Sequence, residues 1–156
     1  GDDEDLGSPN NGCQICADPV VNCPGVTDDA ASPAPTTNCS PQNNILILHE
    51  SGPDDLPDDN QNGGRMEFTF TKDVSRIYSV GLLDLETESS SFAVFDSNGA
   101  RVQKKFVKPA TGDNGHLNFM LDYEAQSPPG YIGRMNFDVR GSGAVTHLAY
   151  CVVKEG

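Results

Sequence analysis

From residue 44 onward, the chain alternates apolar and polar residues with a period of two. The clearest run places Met66, Phe68 and Phe70 on one side and Glu67 and Thr69 on the other. Successive side chains of a β-strand point to opposite faces, so this period predicts strands with one buried and one solvent-facing side. The segments predicted as strands are 45–50, 65–72, 76–86, 91–97, 101–108, 116–123, 131–140 and 144–153.

Turn signals rich in Gly, Asn, Pro and Ser separate the predicted strands. They lie at 62–64, 97–99, 112–115, 127–130 and 141–143. Connections this short join antiparallel neighbours, and no window shows helical spacing of apolar residues. The sequence therefore predicts an all-β fold, an antiparallel β-sandwich of about eight strands. Jelly-roll and immunoglobulin-like plans both fit this pattern.

The first 43 residues have a different composition, which is rich in Pro, Asp, Asn, Gly, Ser and Thr. We expect residues 1–43 to form an extended acidic tail and residues 44–156 to form the sandwich domain. Residues 1–60 carry 12 acidic side chains and no Lys or Arg, whereas residues 61–156 carry 11 acidic and 10 basic side chains. Nucleic acid is not expected as a partner, because phosphate binding needs a basic face. The acidic part either attracts cations or keeps the chain solvated.

Apolar runs are short throughout the chain. The run at 45–48 is far below the roughly 18 consecutive apolar residues of a membrane-spanning helix, so no membrane span is expected. The chain begins without Met and without a hydrophobic signal segment. We therefore expect a processed mature product or an internal fragment of a secreted or cell-surface protein.

Four of the five cysteines lie within the tail, and one lies in the last predicted strand. They are Cys13, Cys16, Cys23, Cys39 and Cys151. Segments that cannot bury a core are commonly held by disulfides in oxidising compartments, which predicts disulfides and an extracellular location. The C-x-x-C spacing also allows zinc or redox chemistry, but a second pair, a histidine partner and a βαβ context are missing. The odd number leaves Cys151 as a buried free thiol, a partner of a tail cysteine or a link between chains.

One loop resembles the opening of a calcium loop. Asp58, Asn60, Asn62 and Gly63 match D-x-[DN]-x-[DN]-G, in which the oxygens bind the cation and glycine permits a sharp turn. The twelfth position is Thr69 rather than Glu, and a strand follows, so further ligands must come from elsewhere in the fold. The predicted calcium ligands are Glu50, Asp58, Asp59, Asn60, Asn62 and Asp84. The alternative is a solvated loop whose side chains cap its own turns.

Glycosylation and catalysis were weighed on the same sequence. The single N-x-[ST] sequon predicts a glycan on Asn38, and the segment "SPAPTT" favours O-linked sugars. The O-linked candidates are Ser32, Thr36 and Thr37. His49, His116 and His147 are isolated in the sequence, and no hydrolase, metalloprotease or phosphate-binding motif occurs. We expect a protein that is not an enzyme.

The segments "ILILHES", "DDNQNGG", "GLLDLE", "SNG", "GDNG" and "GSGAVTHL" lie within residues 44–153. With them, the chain resembles small secreted β-sandwich modules of aquatic microbial surface proteins, similar in plan to calcium-containing jelly-roll carbohydrate-binding modules. The resemblance implies a calcium-stabilised sandwich and glycan partners. The chain has no Trp to stack on sugar rings, and the cysteine-bearing tail is not a usual part of such modules.

Two functions follow as expectations. The first is a non-catalytic extracellular structural protein, a homo-oligomer or polymer that assembles when its tail docks on the next copy and that is stiffened by calcium. The second is a calcium-dependent carbohydrate-binding module. An acidic matrix protein that binds many calcium ions weakly through residues 1–60 is a third, weaker interpretation.

Overall fold

The computed structural model describes residues 36–38, 41–50, 59–112, 115–125 and 130–153. Within these ranges every regular element is a strand, and paired strands are antiparallel. The strands are β1 (Thr36–Thr37), β2 (Leu46–Ile47), β3 (Gly64–Leu83), β4 (Ser91–Asp96), β5 (Arg101–Phe106), β6 (Gly115–Glu124), β7 (Ile132–Val139) and β8 (Ala144–Val152). The prediction of an all-β, antiparallel fold is confirmed.

The 20-residue strand β3 organises the molecule. Its first part, up to Thr69, pairs with β7, and β7 continues to β4 and β5. Its second part, from Arg76 onward, lies between β6 and β8. Val74 stands at the change of partners, since it pairs with both Ile132 and Val152. One strand therefore belongs to two groups of strands, which agrees with a sandwich plan.

The core lies between these two groups. Phe92 of β4 stacks on Phe137 of β7 with ring centroids 4.2 Å apart, and on Phe119 of β6 at 5.7 Å. The contact with Phe119 joins β4 to the opposite group of strands. The remaining large side chains that are fully buried are aliphatic, among them Ile77, Leu82 and Leu121. Burial of this apolar surface is the main stabilising contribution to the fold.

The predicted alternation is confirmed on β6, where Leu117, Phe119 and Leu121 are buried and Asn118 and Asp122 are exposed. The predicted strand boundaries were less accurate. The separate strands 65–72 and 76–86 are one strand. Asp73 and Ser75 between them are residue types common in turns, but no Gly or Pro interrupts the backbone, and Val74 is buried. The predicted strand 45–50 shrinks to Leu46–Ile47, followed by an isolated bridge between His49 and Asp59.

The tail prediction lies mostly outside the described residues. Its described end contributes β1, in which Thr36 pairs with His116 and Thr37 with Gly115 at the edge of β6. Among the described residues, no helix is long and apolar enough to cross a membrane.

Candidate functional site

The loop that precedes β3 is a hydrogen-bonded turn. The side chain of Asn60 accepts a hydrogen bond from the backbone N–H of Asn62 at 2.9 Å, and its carbonyl accepts one from Gly63 at 2.8 Å. Gly63 has a φ of +70°, and a Cβ there would lie 2.3 Å from the carbonyl oxygen of Val139. The sequence pattern thus gives a tight turn packed against the end of β7, with Asn60 capping its own turn.

Two of the predicted calcium ligands meet at the β7–β8 hairpin. Asp59 is 3% exposed, and its Oδ2 accepts a hydrogen bond from the backbone N–H of Gly143 at 2.5 Å. Asp84 is 7% exposed, and its Oδ2 accepts one from the hydroxyl of Ser142 at 3.1 Å. The two carboxylates therefore hold successive residues of one hairpin, although they are distant in sequence.

The other predicted ligands have contacts on the surface or lie outside the described residues. Glu50 accepts a hydrogen bond from Gln61 at 3.3 Å on the surface, and Asp58 lies outside the described residues. Calcium takes 6–8 oxygen ligands. The described part of the chain holds no group of three or more His, Cys, Asp or Glu side chains that could bind a metal ion. The described contacts of Glu50, Asp59 and Asp84 are hydrogen bonds within the protein.

The strand β5 forms a basic edge of the sheet. It ends the strand order, with β4 on one side only. We define the basic edge as Arg101, Lys104, Lys105 and Lys108. Lys105 donates a hydrogen bond to the carbonyl of Met120 at 2.6 Å, whereas the other three form no ion pair with a described residue. By contrast, arginines elsewhere in the sheet are paired: Arg65 with Asp138, Arg76 with Asp122, and Arg134 with Glu67.

A surface pocket of about 280 Å³ opens beside the basic edge. Asp96, Val102, Tyr123 and Gly130 line it. One oxygen of Asp96 accepts hydrogen bonds from the backbone N–H groups of residues 98 and 100. Burial, and then the charge of Asp96, raise the pKa of the Tyr123 hydroxyl, which therefore stays protonated and able to donate at neutral pH. The pocket combines an aromatic ring with a carboxylate, a combination suited to binding a polyol.

The structure describes the surroundings of two residues from the cysteine and glycosylation predictions, Cys151 and Asn38. Cys151 is a free, half-buried thiol that lies 3.5 Å from the hydroxyl of Tyr78. Asn38 is 1% exposed, and its Oδ1 accepts a hydrogen bond from Gln42 at 2.8 Å. Thr36 and Thr37 form β1. The remaining candidates, Cys13, Cys16, Cys23, Cys39 and Ser32, lie outside the described residues.

Two histidines that are isolated in the sequence lie close together in the fold. The rings of His116 on β6 and His147 on β8 have centroids 6.4 Å apart, and the hydroxyl of Thr146 lies between them. The sequence separates them by 31 residues and gives no motif. Only the register of β6 and β8 on either side of β3 brings them together, and the sequence pattern does not contain that register.

Comparisons with family models, with curated proteins and with solved structures found no match to this chain.

Proposed function

We propose that the protein is a non-catalytic extracellular structural subunit whose N-terminal segment, residues 1–43, docks on the next copy and builds a filament or matrix. The observation that carries the proposal is β1. In it, Thr36 and Thr37 already add a short antiparallel strand to the edge of β6. Main-chain hydrogen bonds at a sheet edge are a general means of binding an extended segment. Thr36 and Thr37 thus have the extended conformation that docking of this kind uses.

The proposed receiving surface is the basic edge on β5. Residues 1–35, which precede β1, carry seven acidic side chains and no Lys or Arg. The basic edge offers four positive charges and the unpaired backbone groups of an edge strand. Opposite charges steer association and fix the register of an interface. A fully extended segment of this length reaches about 115 Å, which is enough to span to a neighbour.

Donor segment and receiving edge are different surfaces of one chain. Contacts of this head-to-tail kind produce open filaments whenever the rotation between copies does not close a ring. Lysines on an edge strand also discourage unspecific strand pairing. The basic edge would thus select the acidic segment over an uncharged strand.

Electron microscopy and sedimentation of the full chain test this proposal. We expect filaments or large assemblies from the full chain, and dispersed particles after deletion of residues 1–35, which leaves β1 in place. Lys104→Glu should weaken assembly, whereas the matched variant Lys72→Glu, at an exposed position of β3, should not. A dispersed full chain, or equal assembly by the deleted chain, would refute the proposal. If residues 1–35 fold back on β5 of their own chain, the protein stays monomeric, and this outcome also refutes the proposal.

The calcium part of the proposal rests on the sequence pattern that begins at Asp58. There, Asp58 would add its carboxylate to the oxygens of Asp59 and Asn60. Calorimetric titration with calcium checks it, with Asp58→Asn as the test and Asp122→Asn, at an exposed strand position, as the control. We expect one saturable site that Asp58→Asn removes. If the titration shows no saturable site, the calcium part of the proposal is refuted. The assembly part is tested separately by microscopy.

A second candidate function, binding of an extracellular glycan, is favoured by the pocket at Asp96 and Tyr123. A glycan array with the wild type and Tyr123→Leu tests it. Binding that requires the tyrosine supports this candidate. An array without binding removes it.

A further inference from the structure

We propose that His116 and His147 form a binding site for a transition-metal dication of the zinc class, on the outer face of the sheet above Gly81. This site is independent of the assembly proposed above and of the predicted calcium loop. It lies on the three neighbouring strands β6, β3 and β8.

Gly81 lies directly beneath the proposed site on the outer face of the sheet, and we call this glycine the floor of the site. Gly81 pairs with Asn118 of β6 on one side and with His147 of β8 on the other. A Cβ at this position would lie 2.2 Å from the His147 Nδ1 and 2.2 Å from the Thr146 Oγ1. The side chains of β8 therefore lie directly over the glycine, in space that any other residue would fill.

A β-bulge turns both residues of β8 toward this floor. The register of β8 against β3 shifts between Gly81 and Leu82, where the partners are His147 and Val145. Thr146 is thus the extra residue of the bulge, and it shares the outer face with His147 instead of alternating with it. Bulges commonly redirect side chains next to binding sites.

One ring nitrogen of each histidine lies near the same hydroxyl group. The Thr146 Oγ1 lies 3.4 Å from Nε2 of His116 and 3.1 Å from Nδ1 of His147. In a tetrahedral site with zinc–nitrogen distances of about 2.0–2.1 Å, two bound imidazoles have centroids roughly 5 Å apart. The observed 6.4 Å is close enough for small side-chain rotations to complete the geometry. The Thr146 hydroxyl, a second acceptor near the metal, and water would fill the remaining positions.

Imidazole nitrogen selects zinc, copper or nickel over calcium and magnesium, which prefer oxygen. A metal also requires neutral imidazole, and protons compete for it.

The test is a titration of the full chain with zinc alone. The imidazole NMR signals of its three histidines are recorded at each zinc concentration. This readout reports the two rings directly and is independent of any zinc bound by the tail cysteines. We expect the signals of His116 and His147 to change together along one saturation curve. The His49 signals should stay unchanged, which provides an internal control in the same sample.

Two variants sharpen the result. His147→Ala, at an exposed ring, should weaken the zinc response of His116 by roughly tenfold or more, in line with the loss of a metal ligand. His49→Ala should leave it unchanged. Separate curves for His116 and His147, no change of either signal, or a His116 response that survives His147→Ala would each overturn the proposal.

Discussion

The carboxylate of Asp59 binds the backbone N–H of Gly143 at 2.5 Å, across a separation of 84 residues. It fixes the loop before β3 to the hairpin between β7 and β8. Asp59 is 3% exposed, so the charge relies on this and neighbouring donors for the solvation that water would otherwise give. The residue that the sequence suggested as a metal ligand thus holds two distant turns together.

Asp59→Ala should therefore destabilise the fold. A buried hydrogen bond to a charged group contributes about 1.5–3 kcal/mol, and we expect a loss of that size in the free energy of unfolding. Chemical denaturation measures it. Glu67→Ala is the control, since its ion pair with Arg134 is solvent-exposed and such pairs contribute at most about 1 kcal/mol. Equal losses in both variants would contradict the structural role of Asp59.

Substitutions at two glycines, Gly63 and Gly99, allow the cost of a steric clash to be measured separately from the cost of backbone strain. Gly63 and Gly99 have similar φ angles, +70° and +83°. A Cβ at Gly63 meets the carbonyl of Val139 at 2.3 Å, whereas a Cβ at Gly99 meets nothing within 4 Å. Gly99→Ala should cost only the left-handed strain of about 1–2 kcal/mol. Gly63→Ala should cost clearly more, and equal midpoints in thermal denaturation would show that the turn relaxes.

Phe92 is the aromatic centre of the core. Its ring is fully buried and stacks on Phe137 and Phe119. Phe92→Ala should lower the free energy of unfolding by about 3–5 kcal/mol, a large share of the stability of a small domain. Phe106→Ala, at a ring that is half exposed on β5, should cost far less. Denaturant titration of the two variants compares a core position with an edge position of the same residue type.

Much of the fold could be predicted from the sequence, because side-chain alternation directly reports a strand with one buried face. It identified β6 and the buried positions Leu117, Phe119 and Leu121. It missed that β3 is continuous, because Asp73 and Ser75, which are residue types common in turns, flank Val74, where the strand changes partners. Within the predicted strand 131–140, alternation with Met135 and Phe137 places Asn136 on the solvent side, yet it is 4% exposed between Glu67 and Ala93 of the neighbouring strands.

The candidate sites depend on the register between paired strands, which cannot be read from a single sequence. Asp59 and Asp84 were selected as oxygen ligands, and the structure brings both to the hairpin at Ser142 and Gly143. Their hydrogen bonds to that hairpin are long-range and could not be inferred from spacing. The pairing of the histidines across β3 depends on a bulge in β8, which shifts side chains by one position and reverses the face that alternation predicts.

The stability of the fold should decrease in acid in part through His116. Burial and His147 lower its pKa in the folded chain, whereas the unfolded chain has the usual value of about 6.5. The unfolded state therefore binds a proton first, so the contribution is complete above about pH 6.5 and is lost as the pH falls toward the folded pKa. His116→Gln should flatten the change in urea midpoint between pH 7.5 and pH 5, and His49→Gln should not. An unchanged or steeper dependence in His116→Gln would show that other groups, and not this ring, control the acid response.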